Sequence, residues 1–292
     1  TGFININCLP QTYVPDDNFE AYLETHDASG NVVAIGASNS MGDGIANNDY
    51  VTTSNISGVT NLAVSSQNIA DLTGIEDFTV LNDLYCINNQ LTNLDVSQNT
   101  ALYSLYCGGN QLTNLDVTQN TALTYLNCDH NQLTGLDVSQ NTVLNDLYCR
   151  GNQLTNLDVT QNTALTSLDC IYNQLTGLDV SQNTVLNSLY CDGNQLTNLD
   201  VSQNTALYSL YCGGNQLTSL DVSQNTALTY LYCEYNQLTG FDVSQNTVLN
   251  GLYCRDNQLT NLDVSQNTAL TYLYCDNNQL TSLDVRNGNN TN

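Results

Sequence analysis

The sequence predicts a solenoid of stacked repeats that share one parallel β-sheet, and three observations support this. Cysteine recurs every 21 residues, ten times from Cys86 to Cys275. The phrase LxxLxCxxNQLTxLDVSQNTxL surrounds these cysteines, as in residues 102–123. The apolar residues around each cysteine alternate, which is typical of a short strand with one buried face. A single strand cannot bury that face alone, so neighbouring copies must stack around a common core.

The repeated phrase resembles the signature of the leucine-rich-repeat family, LxxLxLxxNxL. One leucine of the signature is replaced by cysteine, and the positions are filled in the first full copy by Leu81, Leu84, Cys86, Asn89 and Leu91. The resemblance covers residues 56–286, about 11 repeats. It implies a leucine-rich-repeat solenoid with the sheet on its concave face and turns or short 3-10 segments on its convex face.

The first 55 residues do not repeat and are predicted to cap the open end of the core. A helix is expected over residues 14–26, with Pro15 in its first turn and an apolar face of Phe19, Tyr22 and Leu23. This segment resembles the N-terminal caps of secreted leucine-rich-repeat proteins of Bacteroidetes-type bacteria, which implies a secreted or cell-surface location. No signal peptide is visible, and the abrupt start at Thr1 fits a mature or a trimmed chain. Residues 287–292 are a tail.

The composition restricts the partners that the chain can bind. It has no lysine, three arginines and 28 acidic residues, and its net charge is -25. This charge disfavours nucleic acid, and no apolar run is long enough to insert into a membrane. The two histidines lie in no catalytic motif, and buried thiols without a basic partner are unreactive. The sequence therefore predicts a binding protein, not an enzyme.

Four rows of recurring residues run along the repeats, and each has a structural interpretation. The cysteines point inward, and parallel strands hold their Cβ atoms too far apart for disulfides, which predicts free thiols. Cys8 lies outside this row and is either free or bridged to another molecule. The resemblance implies that Asn89 and its equivalents bond the turn after each strand. Asp95 and its equivalents either cap the next turn or bind Ca²⁺, and Thr92 and its equivalents are turn residues or an ice-binding row.

Cofactors are expected to be absent, with calcium as the alternative. The loop over residues 38–49 is glycine-rich and acidic, which suits either an ordinary glycine turn or a calcium loop. It departs from the EF-hand pattern, because no glutamate closes it.

The candidate binding site lies where the repeats differ, next to each cysteine. Eight of the ten residues immediately before the cysteines are tyrosine, and their side chains should point away from the core. Further tyrosines and two arginines vary nearby. The predicted site residues are Tyr148, Arg150, Tyr190, Tyr211, Tyr230, Tyr232, Tyr235, Tyr253, Arg255, Tyr272 and Tyr274.

Tyrosines arranged in this way have two interpretations. They can stack across strands and simply stabilise the sheet. They can also offer rigid, amphipathic contact area to a protein or a neutral glycan. The first functional hypothesis is an extracellular recognition or adhesion module that uses the concave tyrosine-rich face. The alternatives are a structural spacer array without a ligand and an ice- or mineral-binding array.

Overall fold

The computed structural model describes residues 9–288. Cys8, whose pairing the sequence left open, lies outside the described residues, as do residues 289–292 of the predicted tail. The chain divides into two compact units, Thr1–Leu123 and Thr124–Asn292. The predicted boundary between cap and repeats, after residue 55, lies inside the first unit and stays a prediction.

The first unit begins with two short strands and two helices. Strand β1 (Gln11–Tyr13) pairs antiparallel with β2 (Tyr50–Thr52), and α2 spans Thr53–Ile56. Helix α1 spans Asp17–Thr25, so the predicted start at residue 14 is wrong. The Asp16 side chain caps this helix by accepting the amides of Asn18 and Phe19, which leaves Pro15 ahead of it. The predicted apolar face of α1 is buried.

The loop after α1 is held by two buried helix carboxylates. Glu24 accepts the backbone N–H groups of Asp43 and Gly44, and Glu20 accepts those of Asn48 and Asp49. The amides of this loop thus face anionic groups, whereas a calcium loop turns carbonyl and carboxylate oxygens inward. Calcium at this loop stays a prediction.

Each repeat contributes one three-residue strand to a parallel sheet. In the first unit these are β3 (Asn61–Ala63), β4 (Asp83–Tyr85) and β5 (Ser104–Tyr106), with a 3-10 helix at Ile75–Asp77. In the second unit they are β6 (Tyr125–Asn127), β7 (Asp146–Tyr148), β8 (Ser167–Asp169), β9 (Ser188–Tyr190), β10 (Ser209–Tyr211), β11 (Tyr230–Tyr232), β12 (Gly251–Tyr253) and β14 (Tyr272–Tyr274).

Neighbouring strands pair in register, so identical repeat positions lie side by side. Leu210 pairs with Leu231, for example, and Tyr211 with Tyr232. The central leucines and the cysteines point into the core, where Cys86 and its equivalents as far as Cys254 are fully buried. None of the ten ladder cysteines forms a disulfide, as predicted, and burial raises the pKa of Cys86 to about 12. A thiol held neutral in this way is a small core hydrophobe and not a nucleophile.

The asparagine that follows each strand ties consecutive repeats together. Asn194 donates from Nδ2 to the carbonyls of Cys170 (3.0 Å) and Cys191 (3.1 Å). Its Oδ1 accepts the amide of Leu175 at 3.0 Å. The same pattern recurs along the second unit, for example at Asn215 and Asn236. The expected structural role of this row is confirmed.

The return arm is more regular than predicted near the C-terminus. It forms turns in most repeats, but β13 (Asn261–Asp263) pairs in parallel with β15 (Ser282–Asp284). The alternation of Leu and Asp in NLDV and SLDV suffices for a short second strand once neighbouring arms stack. The aspartates cap the following turn as predicted: the Asp179 carboxylate accepts the Ser181 amide at 2.9 Å, and Asp200 accepts Ser202 likewise.

The buried asparagine row predicts that substitutions at two neighbouring residues change the free energy of unfolding by very different amounts. Asn194→Ala leaves the Leu175 amide without its partner inside the core and removes one of the two asparagine donors from the carbonyls of Cys170 and Cys191, so it should lower the free energy of unfolding by about 1–3 kcal/mol. Gln195→Ala, one residue along and exposed, should change it by less than about 0.5 kcal/mol. Urea unfolding followed by circular dichroism measures both. Equal midpoints for the two variants would contradict this role.

Candidate functional site

The tyrosine face consists of the outward residues that immediately precede the ladder cysteines. In the second unit it contains five consecutive tyrosines, one on each of five neighbouring strands: Tyr190, Tyr211, Tyr232, Tyr253 and Tyr274. The leucine before each and the cysteine after it point inward, so the alternation of the strand fixes these side chains on the opposite side. The structure therefore brings five predicted site residues into one row.

The rings of this row stack on one another. Ring centroids are 4.0 Å apart between Tyr211 and Tyr232 and between Tyr232 and Tyr253, with interplanar angles of 16° and 7°. Tyr274 continues the stack at 4.8 Å, and Tyr190 meets Tyr211 in a tilted contact at 4.9 Å. The inner rings cover each other's faces. Their edges and hydroxyl groups are what remains for a ligand.

The hydroxyl groups interact along the same row. Hydrogen bonding with the Tyr232 hydroxyl raises the pKa of Tyr253 to about 12, with partial burial adding to the effect. Burial is the main cause of the raised pKa values of Tyr211 and Tyr232. The hydroxyl groups of Tyr211, Tyr232 and Tyr253 are therefore neutral at physiological pH and offer donors and acceptors.

The remaining predicted tyrosines lie beside the row or apart from it. Tyr230 contacts Tyr208 edge-on at 5.8 Å, and Tyr272 is 51% exposed. Tyr148 lies apart from the row, because Asp169 occupies the strand between it and Tyr190. It packs instead against Tyr125, with ring centroids 5.3 Å apart.

Both predicted arginines stack on tyrosines. The Arg255 guanidinium lies 5.1 Å from the ring centroid of Tyr235, and the Arg150 guanidinium lies 5.2 Å from that of Tyr172. Such cation–π contacts at exposed rings contribute about 0.5–1 kcal/mol each. The predicted site left out Tyr172, which is the equivalent of Tyr235 three repeats earlier.

Tyr172 and Tyr235 occupy a backbone position that disfavours large side chains. The second residue after each ladder cysteine has a positive φ, for example 56° at Asn88 and 66° at Gly109. Most repeats place Gly, Asn, Asp or His there, which tolerate the left-handed region. Tyr172 and Tyr235 adopt φ values of 53° and 54°. Conformations of this kind cost about 1–3 kcal/mol and concentrate at functional sites.

Half-buried carboxylates lie beside these tyrosines. Burial raises the pKa of Asp192 to about 6 and also raises that of Glu234. Asp192 Oδ1 accepts the Gly213 amide at 2.8 Å, but Asp192 Oδ2 and Glu234 Oε2 have no hydrogen-bond partner. Both residues were absent from the predicted site. A sequence signal for Asp192 and Glu234 lies at the second position after the cysteine. Four consecutive repeats carry Tyr172, Gly193, Gly214 and Tyr235 there.

Within residues 9–288, one group of carboxylates could hold a metal ion. Asp17, Glu20 and Asp49 each bring an oxygen to within 4.8 Å of the others. Glu20 already accepts two backbone amides, so its oxygens are partly used.

Comparison with solved structures relates the chain to bacterial repeat proteins. The functional domain of InlJ from Listeria monocytogenes, which includes a cysteine ladder, shares 39% identity and a TM-score of 0.75 over 96% of this chain and 65% of that one. A leucine-rich-repeat protein of Leptospira interrogans shares 26% identity and a TM-score of 0.63 over 75% and 66%. The chain has the leucine-rich-repeat fold. The 21-residue spacing of its repeats is shared with these bacterial relatives.

More distant structures agree on the fold. YopM, an effector protein of Yersinia pestis, shares 24% identity and a TM-score of 0.61 over 77% of this chain and 68% of that one. No protein-family model and no curated protein matches the sequence. Neighbours with this fold, such as the internalins and YopM, are non-enzymatic binding or scaffold proteins. Among the described residues, no helix has the length and apolarity to cross a bilayer.

The left-handed tyrosines predict a substitution that stabilises the fold. Tyr235→Asn places the residue of Asn88 and Asn277 at the same φ, and should raise the free energy of unfolding by about 1 kcal/mol, allowing for the lost Arg255 contact. Tyr232→Asn, which removes a ring from the stack, should lower it. Thermal and urea unfolding check both. A destabilised Tyr235→Asn protein would contradict the argument.

The two kinds of carboxylate predict a stability maximum at mildly acidic pH. The pKa values of Asp129 and Asp192 are raised to about 6 by burial, so the folded chain binds protons more tightly there and gains stability as the pH falls through 6. Hydrogen bonds from the following turn lower the pKa values of Asp158 and Asp179, so stability is lost again below about pH 4.

Calorimetry from pH 8 to pH 3 should therefore show the highest melting temperature between about pH 4 and pH 6. The double variant Asp129→Asn with Asp192→Asn should flatten the rise between pH 7 and pH 5. A melting temperature that climbs steadily towards pH 8 would be incompatible with this assignment.

Proposed function

We propose that the chain is an extracellular recognition module that binds a protein through the tyrosine face of its second unit. The observation that carries the proposal is the uninterrupted row from Tyr190 to Tyr274, held on paired strands. Rigid tyrosines lose little side-chain entropy on binding, and they are enriched among residues that dominate interface energetics. Solenoid proteins use extended surfaces of this kind to bind partners.

The stacking favours a protein over a glycan. A sugar ring binds tyrosine by covering its face, but the faces of Tyr211, Tyr232 and Tyr253 are covered by neighbouring rings. The exposed edges and hydroxyl groups suit hydrogen bonds and side-on packing with a protein surface. A neutral glycan is the second candidate ligand. It is supported by Tyr274 at the C-terminal end of the row and by Tyr272 beside it, which are 47% and 51% exposed.

The partner is expected to carry positive charge. The net charge of -25 repels nucleic acid and acidic proteins and attracts basic ones. Secretion or display at the cell surface is part of the proposal, supported by the likeness to the InlJ domain of Listeria. The chain spans 65% of that domain's length.

The test distinguishes the contribution of the tyrosine hydroxyl groups to binding from that of the rings. A panel of purified extracellular proteins and neutral glycans identifies the ligand. The double variant Tyr232→Phe with Tyr253→Phe keeps the stack but removes two hydroxyls, and should weaken protein binding roughly tenfold. Tyr103→Phe, at an exposed ring outside the row, is the matched control and should bind normally.

Calorimetric titration gives the affinities, and unfolding curves check that all variants remain folded. Unchanged binding by the double Phe variant would refute the tyrosine face as the site. Binding only to glycans would select the second ligand, and no binding to any member of the panel would favour a spacer array. Thermal hysteresis of the wild-type solution would instead favour ice binding.

A further inference from the structure

A second feature of the same unit lies just beyond the strand ends, beside the tyrosine face. It is a slot of about 270 Å³ between Tyr172 and Tyr235. The two tyrosines are three repeats apart, which corresponds to about 14 Å at the usual strand spacing. The volume equals that of roughly nine liquid water molecules, enough for one long side chain.

The floor of the slot is backbone. Gly193 and Gly214 stand where Tyr172 and Tyr235 stand in the flanking repeats, and Gly213 lies beside them. A Cβ added at Gly214 would meet only backbone atoms of Gly193, at 3.4 Å or more, so no side chain covers this part of the floor. The missing side chains create the slot, and the tyrosines bound it. The Tyr172 ring lies over Gly193, where an added Cβ would clash with it, so the open part of the floor is at Gly213 and Gly214.

The slot carries a net negative charge, because two carboxylates and one arginine, Arg150, line it. Asp192 and Glu234 line it on either side of Gly213. Each has one carboxylate oxygen that lacks a hydrogen-bond partner and is shielded from solvent. Unsatisfied acceptors of this kind are costly, and a nearby cation stabilises their charged form.

The walls favour an organic cation over a metal ion. Tyr172 and Tyr235 are 59% and 51% exposed, and each already packs against an arginine of a neighbouring repeat. These arginine contacts show that both rings accept a guanidinium at stacking distance. Ca²⁺ would require six or more oxygen ligands, whereas the slot is lined by two carboxylates, aromatic rings, glycines, Ile171 and the Arg150 guanidinium.

We propose that this slot binds one arginine or lysine side chain of a protein partner, with its cation above the glycine floor between Asp192 and Glu234. The proposal deepens the proposed function and rests on it, because the slot adjoins the tyrosine face and supplies it with a charge-selective anchor. The two strained tyrosines are then part of the site: they close the ends of a slot that Gly or Asn at those positions would leave open.

The test uses the full chain, two peptides of equal shape and a third peptide that contains lysine. N-acetylated, C-amidated Gly-Arg-Gly is titrated against the same peptide with citrulline, the neutral isostere of arginine. The readout is the ¹H–¹⁵N spectrum, in which Gly193, Gly213 and Gly214 report on the floor. Gly-Arg-Gly should shift these three amides with a dissociation constant in the millimolar range, and Gly-Lys-Gly should do the same. The citrulline peptide should bind at least tenfold more weakly.

Three variants locate the binding. Glu234→Gln removes one charge at nearly constant shape and should weaken the arginine peptide at least fivefold. Tyr235→Asn removes one wall without backbone strain and should do likewise. Asp276→Asn, which removes a carboxylate at the equivalent position of another repeat, should leave the titration unchanged.

Several results would overturn the proposal: equal shifts from arginine and citrulline, no shift from either basic peptide, or full binding by the Glu234→Gln protein. Glycine shifts caused by CaCl₂ but not by the basic peptides would also overturn it and assign the slot to a divalent cation. The titration does not involve Tyr232 or Tyr253. The titration can therefore refute cation binding in the slot without affecting the tyrosine face as a binding site. If the basic peptide binds but no protein partner is found, only the proposed function is contradicted.

Discussion

The buried asparagine after each strand is the interaction on which the rest of the structure depends. A strand of three residues makes too few hydrogen bonds to fix its own register. Asn194 adds contacts to its own repeat and to the preceding one, through Cys191, Cys170 and Leu175. Register matters because a shift of one residue would turn the leucines outward and the tyrosines inward. With the register fixed at every repeat, the outward positions can vary without affecting the core.

That freedom explains how the tyrosine face can stabilise and recognise at once. The rings of Tyr211, Tyr232 and Tyr253 stack at 4.0 Å, closer than the usual strand spacing of about 4.8 Å. Stacking fixes the side chains before any ligand arrives, which reduces the entropy cost of binding. The two interpretations of the tyrosines in the sequence are therefore not exclusive. The same ring contacts that support the sheet prepare its surface.

The sequence predicted the repeats well because their determinants are local and periodic. The 21-residue period, the inward thiols, the capping aspartates and the outward tyrosines all follow from alternation and spacing, and all are confirmed. The predicted start of α1 was wrong because Asp16 caps the helix one residue after Pro15. The pairing of β13 with β15 was missed because it arises only when neighbouring return arms stack.

The slot could not be predicted as a site because it depends on residues that are absent. Periodicity draws attention to what each repeat carries, whereas the floor is defined by the lack of side chains at Gly193, Gly213 and Gly214. The strain at Tyr172 and Tyr235 was equally hidden, since a positive φ at that repeat position belongs to the folded turn. In the sequence, the slot and the strained tyrosines both correspond to two glycines between two tyrosines at the same position of four consecutive repeats.

The acidic residues of the second unit belong to two electrostatic classes, and only one of them concerns a partner. Asp179 and Asp200 on the return arm accept amides of their own turns, which lowers their pKa values and largely satisfies their charge. Asp192 and Glu234 beside the sheet have raised pKa values and incomplete hydrogen bonding. A cation gains more by approaching the second class, because the first has already been neutralised locally by backbone dipoles. In the proposed function, the net charge of -25 attracts basic partners from a distance, and the under-bonded carboxylates beside the tyrosine face are where they bind.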